Sequence, residues 1–208
     1  VGGQYAAEGR GGQYVVVYPA LDLIVVMTGN GDYGIGDVTD RLAPALADGG
    51  SPLPDNPAAV DKLHEVVTHL GEAPPAKPVP PLPAVADRIS GTPYTMASNP
   101  ANIRSIRFDV TSATEMAATI ALTDDPAPIV ALIGLDGVYR FAPGEYGLTV
   151  VARGQWEDSQ TFVFDIDLLA NLNRYTLRSR FDADAVTVEL TDHESGAMIP
   201  LRGTAATR

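Results

Sequence analysis

Several side chains in this sequence have types and spacings that chemistry asks for. His64 and His69 flank Glu65-Val66-Val67-Thr68, close to the two-histidine helix of a zinc hydrolase. Two ligands of one metal must share a helix face about four residues apart, and a fifth residue turns the second ring away by about 140°. The pair is therefore read as two solvent-facing histidines, and no metal site is expected. Asp165 with Asp167, and Asp182 with Asp184, present oxygens of the kind calcium takes. An Asp-x-Asp on a strand ordinarily faces water. Gly29, Gly31 and Gly34 have the spacing of a nucleotide-binding turn. Such a turn needs a second parallel strand about 20 residues on, ending in an acidic residue. Asp48-Gly49-Gly50-Ser51-Pro52 reads instead as a loop, so a strand-to-helix connection and no cofactor are expected.

The remaining candidates are Arg10, Gly11, Gly12 and Gln13, which lead into two short apolar runs at 14–18 and 23–27 separated by Pro19-Ala20-Leu21-Asp22. β-Branched runs about such a turn predict an antiparallel hairpin. Both runs are apolar throughout, which predicts strands covered on both faces in the middle of a sheet. The glycines leave room, either for packing alone or for another group lying against the backbone.

Gly9-Arg10-Gly11-Gly12-Gln13-Tyr14, a strand, Pro19-x-x-Asp22-Leu23, a second strand and Thr28-Gly29-Asn30 resemble the end of the penicillin-recognising serine hydrolases. That family comprises class C β-lactamases, D-alanyl-D-alanine carboxypeptidases and related esterases, and the resemblance covers residues 1 to 70. It implies that Arg10-Gly11-Gly12 takes the place of the family's Lys/His/Trp-x-Gly motif on a strand edging the active site. Arg10, Gly11, Gly12 and Gln13 would then flank the substrate, with Arg10 as a carboxylate-orienting cation.

The family's nucleophile is absent. The lysines are Lys62 and Lys77, and none of Ser51, Ser90, Ser98, Ser105, Ser112, Ser159, Ser179 and Ser195 precedes a lysine by three positions. No Tyr or Ser precedes an Asn by two. Without a nucleophile and its base, acyl transfer has no starting point. The resemblance thus implies the C-terminal portion of a hydrolase whose parent cleaves a small ester or amide. The chain by itself is expected to be inert and to hold no catalytic residue. Exposed sheet edges and an apolar face in such a portion imply a homodimer or a partly disordered N-terminal region.

With 26 acidic against 14 basic residues the formal charge is −12, which excludes a phosphate-backbone partner. Nucleic acid is not expected. The absence of cysteine excludes disulfides and thiolate metal sites and leaves the compartment open, periplasm or medium being compatible with the parent. No apolar run reaches the roughly 18 residues of a membrane span.

The elements that must position these residues fall into three stretches. Residues 1–71 are expected to be the last strands and helices of the hydrolase sheet. They include a helix at about 36–43 and a longer one opened by Asn56-Pro57, whose Ala59, Val60, Leu63, Val66, Val67 and Leu70 form one buried face. Residues 72–90, with Pro74, Pro75, Pro78, Pro80, Pro81 and Pro83, are expected to be a stiff linker with a short helical turn near 84–89.

From 91 to 208 the period changes to two. Met116, Ala118, Ile120, Leu122; Tyr146, Leu148, Val150, Ala152; Phe162, Phe164, Ile166, Leu168; Tyr175, Leu177, Phe181; and Val186, Val188, Leu190 each alternate with polar or small neighbours. With 91–97, 103–110, 129–139 and 197–203 this predicts about nine antiparallel strands in an up-and-down, lipocalin-like barrel. The expected fold class is an α+β hydrolase fragment followed by an all-β barrel.

Phe162, Phe164, Tyr175 and Phe181 are large enough to plug such a barrel, so a filled interior is expected. Trp156, the only tryptophan, is placed in a loop, where it caps the barrel or is presented to a partner. The barrel's expected role is accessory, at the active-site mouth or in dimerisation. The competing expectation is a binding module for a small apolar ligand or partner peptide.

Overall fold

The computed structural model describes residues 3–29, 34–36, 40–42, 54–144, 147–169 and 171–206. Asn30, Gly31, Asp32 and Tyr33 of the glycine-spaced turn, the loop 48–52, residues 37–39 and 43 of the helix expected at 36–43, and Tyr146 lie outside the described residues, while residues 36 and 40–42 are helical. The chain falls into two units, Val1–Gly71 and Glu72–Arg208.

In the first unit β1 (Tyr5–Gly9), β2 (Gln13–Tyr18) and β3 (Leu23–Met27) form a three-stranded antiparallel sheet with β2 in the centre. The predicted hairpin is present, with Tyr14 opposite Met27 and Tyr18 opposite Leu23. Its turn is a short 3-10 segment, Pro19–Leu21, closed by Asp22 in the left-handed region at φ 47°. The expected burial of both faces is corrected. β3 alternates, and Ile24 and Val26 are 63% and 64% exposed. An unbroken apolar run therefore does not place these strands inside a helix-covered sheet.

α1 (Pro57–Leu70) starts where Asn56 and Pro57 predict. The Asn56 side chain accepts from the Ala59 amide at 3.0 Å. Its apolar face is not buried, however, and Leu63 and Leu70 are 60% and 81% exposed. The α+β hydrolase fragment is not what this unit forms: its described residues comprise one small sheet, the exposed helix α1 and short helical pieces at 35–36 and 40–42.

The second unit holds a ten-stranded antiparallel-rich sheet: β4 (Pro93–Met96), β5 (Ile103–Ser112), β6 (Glu115–Leu122), β7 (Ile129–Gly134), β8 (Arg140–Pro143), β9 (Thr149–Trp156), β10 (Thr161–Leu168), β11 (Asn173–Asp182), β12 (Ala185–Asp192) and β13 (Met198–Ala205). The sheet closes because β9 pairs with β10 while β13 pairs with β4. The ring runs β4-β5-β6-β7-β9-β10-β11-β12-β13.

One join departs from up-and-down order. The stretch 129–139, expected as one strand, ends at Gly134 and turns at Gly137, whose φ is 81°. β7 then meets β9 in parallel through Ile133 and Gly134, and β8 pairs with the rest of the same edge. Space is tight at this join, since a Cβ on Gly134 would lie 1.9 Å from the Val138 carbonyl oxygen.

The proline-rich stretch is attached to this unit. The Lys77 amide donates to the Asp136 carbonyl at 2.8 Å, and Val79 and Leu82 pack on the core. Behind it α2 (Ala84–Ile89) buries Val85, Ala86 and Ile89. Proline's lack of an amide donor keeps the stretch out of the ladder but leaves it free to lie across it.

Candidate ligand site in the barrel

Inward side chains change size along the strands. On β10 they run Phe162, Phe164, Ile166, Leu168, and on β11 they run Phe181, Ser179, Leu177, Tyr175. Because β10 and β11 are antiparallel with Phe162 opposite Ser179 and Ile166 opposite Tyr175, the phenylalanines gather at one end. Phe108 is the centre of that cluster, edge-on to Phe162 (6.1 Å), Phe164 (6.1 Å) and Phe181 (5.5 Å). Tyr94 stands 5.7 Å from Phe181, and burial raises its phenol pKa above the ordinary value.

Trp156 is the last residue of β9 rather than a loop residue, and its ring lies against Phe162 (5.1 Å) and Phe181 (6.3 Å). Its half-buried indole extends the aromatic plug, with the ring N–H left without an acceptor. A polar latch lies outside this end. Arg140 binds Asp136 at 2.9 Å and Glu115 at 3.1 Å. The guanidinium, helped by the Val138 amide, holds the Asp136 carboxyl below its usual range.

The other end is open. A cavity of about 600 Å³ lies between the first residues of β5, β7, β9, β11 and β13 and the last residues of β6, β10 and β12. Its wall is aliphatic: Ile103, Ile120, Leu122, Ile129, Val150, Ile166, Leu168, Leu177, Leu190 and Ile199. The polar groups stand toward the rim. Asn173 donates to the Tyr175 hydroxyl at 2.6 Å, Asp125 accepts from the Ala127 amide at 2.8 Å, and Asp192 accepts from the Glu194 amide and the Ser195 hydroxyl. A site of this volume, with apolar walls and a few convergent polar groups, suits a drug-sized organic molecule.

The expectation of a wholly filled barrel thus holds for one end only. The size gradient from phenylalanine to isoleucine and leucine along 162–168 was the signal available in the sequence for the cavity. A second hollow of about 570 Å³ lies near the plug, lined by Lys77, residues 78–81, Asp136 and Arg153 to Trp156. It is more polar, and the proline-rich stretch forms one side of it.

The residues singled out by the hydrolase resemblance, expected together on a strand, do not share one. Arg10, Gly11 and Gly12 form the turn joining β1 to β2, with both glycines at φ near 80°. Only glycine adopts that conformation without strain, which accounts for the pair without a substrate. Gln13 starts β2, and its side-chain amide donates to the Gly29 carbonyl. His64 and His69 lie on the exposed helix α1. Asp165 accepts from Thr176 at 2.7 Å, whereas burial raises the Asp167 pKa above the usual carboxylate range, with Arg174 opposing. Asp182 and Asp184 flank the β11–β12 turn. Among the described residues no three acidic or histidine side chains converge as metal ligands, and no helix is long and apolar enough to cross a membrane.

No family model and no curated protein matches the chain. Solved structures do. A Schistosoma mansoni fatty acid binding protein in complex with arachidonic acid is 8% identical, with a TM-score of 0.44 over 57% of this chain and 96% of its own. The fatty-acid-binding protein of Manduca sexta is 9% identical, with a TM-score of 0.43 over 56% and 99%. Secretory abundant heat soluble protein 4 of Ramazzottius varieornatus is 7% identical, with a TM-score of 0.40 over 50% and 69%. The expectation of a hydrolase C-terminal portion acting on a small ester or amide is corrected by the fold of the first unit, where β1, β2 and β3 form a separate three-stranded sheet and α1 buries no residue, in place of the last strands and helix of a larger hydrolase sheet.

Proposed function

We propose that the unit Glu72–Arg208 is a binding module that holds one small apolar ligand in the open end of its barrel. The observation that carries this reading is the aliphatic cavity of about 600 Å³, closed below by the Phe108 cluster and open above. Burying apolar ligand surface there is worth about 25 cal/mol per Å² before the costs of association, so even a short alkyl chain gains useful affinity. A plugged end and an open end also give the ligand a single direction of approach.

The test is titration of the folded protein with a fluorescent hydrophobic probe, beside a Leu177→Trp variant. Leu177 is 1% exposed and lines the cavity, so the indole enters the space a ligand would take. Saturable enhancement at one probe per chain in the parent, and its loss in a variant with unchanged circular dichroism, is the expected result. Absence of saturable binding by the folded parent overturns the reading.

A further inference from the structure

The composition of the rim selects among apolar ligands. Among the described residues lining the cavity there is no Lys, Arg or His, while Asp125 and Asp192 are both present. Each carboxylate is fixed where it stands. Asp125 is tied to the turn between β6 and β7, and Asp192 to the turn between β12 and β13 through a backbone amide and the Ser195 hydroxyl. Neither can swing away without losing those bonds.

The nearest basic residue along β11, Arg174, belongs to the outer face, where it stands opposite Asp167 across the ladder. Within the mouth, the polar groups directed at one another are uncharged: the Asn173 amide and the Tyr175 hydroxyl, both half-buried. That pair offers a donor and an acceptor to a hydroxyl, ester or amide. It offers a carboxylate no compensating charge.

On this basis we infer that the cavity takes a single-chain amphiphile with an uncharged head group, such as a monoacylglycerol or a fatty alcohol, and discriminates against fatty acid anions. The inference rests on the binding reading above and adds the class of ligand. An anionic head entering the mouth meets two fixed like charges and loses hydration without a cation to replace it. An uncharged head meets the Asn173–Tyr175 pair and loses little.

The experiment is displacement of the bound fluorescent probe at pH 7.5 by three ligands of equal chain length, all below their micellar concentrations: monolauroylglycerol, laurate and dodecyltrimethylammonium. The expected ranking has monolauroylglycerol at least about tenfold tighter than laurate, and tighter than the cation, whose trimethylammonium head has neither donor nor acceptor for the Asn173–Tyr175 pair. Asp125→Asn/Asp192→Asn should tighten laurate several-fold and leave monolauroylglycerol within about twofold. Asparagine keeps an oxygen for the Ala127 and Glu194 amides, so the turns are preserved.

Should the double variant not fold, the salt dependence of laurate binding to the parent replaces it. Repulsion by the aspartates requires laurate to bind more tightly as salt rises. Laurate binding as tightly as monolauroylglycerol, with no response to salt or substitution, overturns the head-group inference and leaves the binding module intact. Tightest binding by the trimethylammonium amphiphile overturns the uncharged class in favour of a cation. If the probe itself does not bind, the binding reading fails first, and that failure is read before any ligand is added.

Discussion

One end of the barrel and the other are made by the same strands, yet they hold different interiors. Where β10 carries Phe162 and Phe164 the rings meet edge to face around Phe108, and the space is closed. Where the same strand carries Ile166 and Leu168 the side chains do not reach the opposite wall, and about 600 Å³ remains open. The polar groups follow the same division. Arg140 is clasped by Asp136 and Glu115 at the closed end, whereas the rim of the open end has carboxylates without a facing cation among the described lining residues. The closed end is thus packed and cross-linked, and the open end carries neither the rings nor the ion pairs.

If that division is right, truncation at the two ends should cost very different amounts. Phe108→Ala removes the hub of the plug, a fully buried ring touching three others, and should destabilise by about 3–5 kcal/mol. Ile199→Ala at the partly buried cavity wall removes atoms that already face empty space on one side. Its cost should be about 1 kcal/mol. Paired denaturant titrations measure both, and equal losses would break the division.

The latch sharpens the comparison through its dependence on pH. Asp136 is 9% exposed and is held ionised first of all by Arg140. Asp136→Asn should cost about 1.5–3 kcal/mol at neutral pH, the range for hydrogen bonds to a charged partner. Because the folded-state pKa lies below the unfolded value of about 3.9, the stabilisation is fully present above that value. It is lost as pH falls through the folded value. Parent and variant should therefore converge in acid. Urea midpoints from pH 7 down to pH 2.5 decide the point.

Alternation made the barrel readable. Inward residues at every second position on β6, β10, β11 and β12 predict a closed antiparallel sheet, and the sheet is there. The break between β7 and β8 has a local signal in the turn dipeptide Asp136-Gly137, but the Arg140–Asp136 pair that fixes the turn forms only in three dimensions. β1 was missed for a related reason. Tyr5-Ala6-Ala7-Glu8-Gly9 has little strand propensity and is held by its pairing with β2. The apolar stripe of α1 gave a correct helix and a wrong burial, since periodicity states which residues share a face and not whether anything covers it. The cavity was half legible: residue size along β10 and β11 marks the two ends, but the lateral distance a chain of isoleucines leaves open depends on closure of the ring.

The smallest effect concerns two hydroxyls on facing strands near the plug. Thr161 and Ser179 are both fully buried. The Thr161 hydroxyl donates to Asp158 at 3.0 Å, and the same carboxylate accepts from the Gln160 and Thr161 amides, which pull its pKa down. The Ser179 hydroxyl, opposite Phe162 and Val188, has no partner. An unpaired buried hydroxyl has lost water and gained nothing, so its removal should be favourable. Ser179→Ala is expected to raise stability by about 0.5–1 kcal/mol, and Thr161→Val to lower it by about 1 kcal/mol. Since Ala fills nearly the same volume as Ser, no new cavity offsets the gain. Opposite signs for the two substitutions in one set of urea titrations would confirm that the plug is dry. A loss on Ser179→Ala would mean that a water reaches the aromatic cluster, and the closed end would then be less closed than its packing implies.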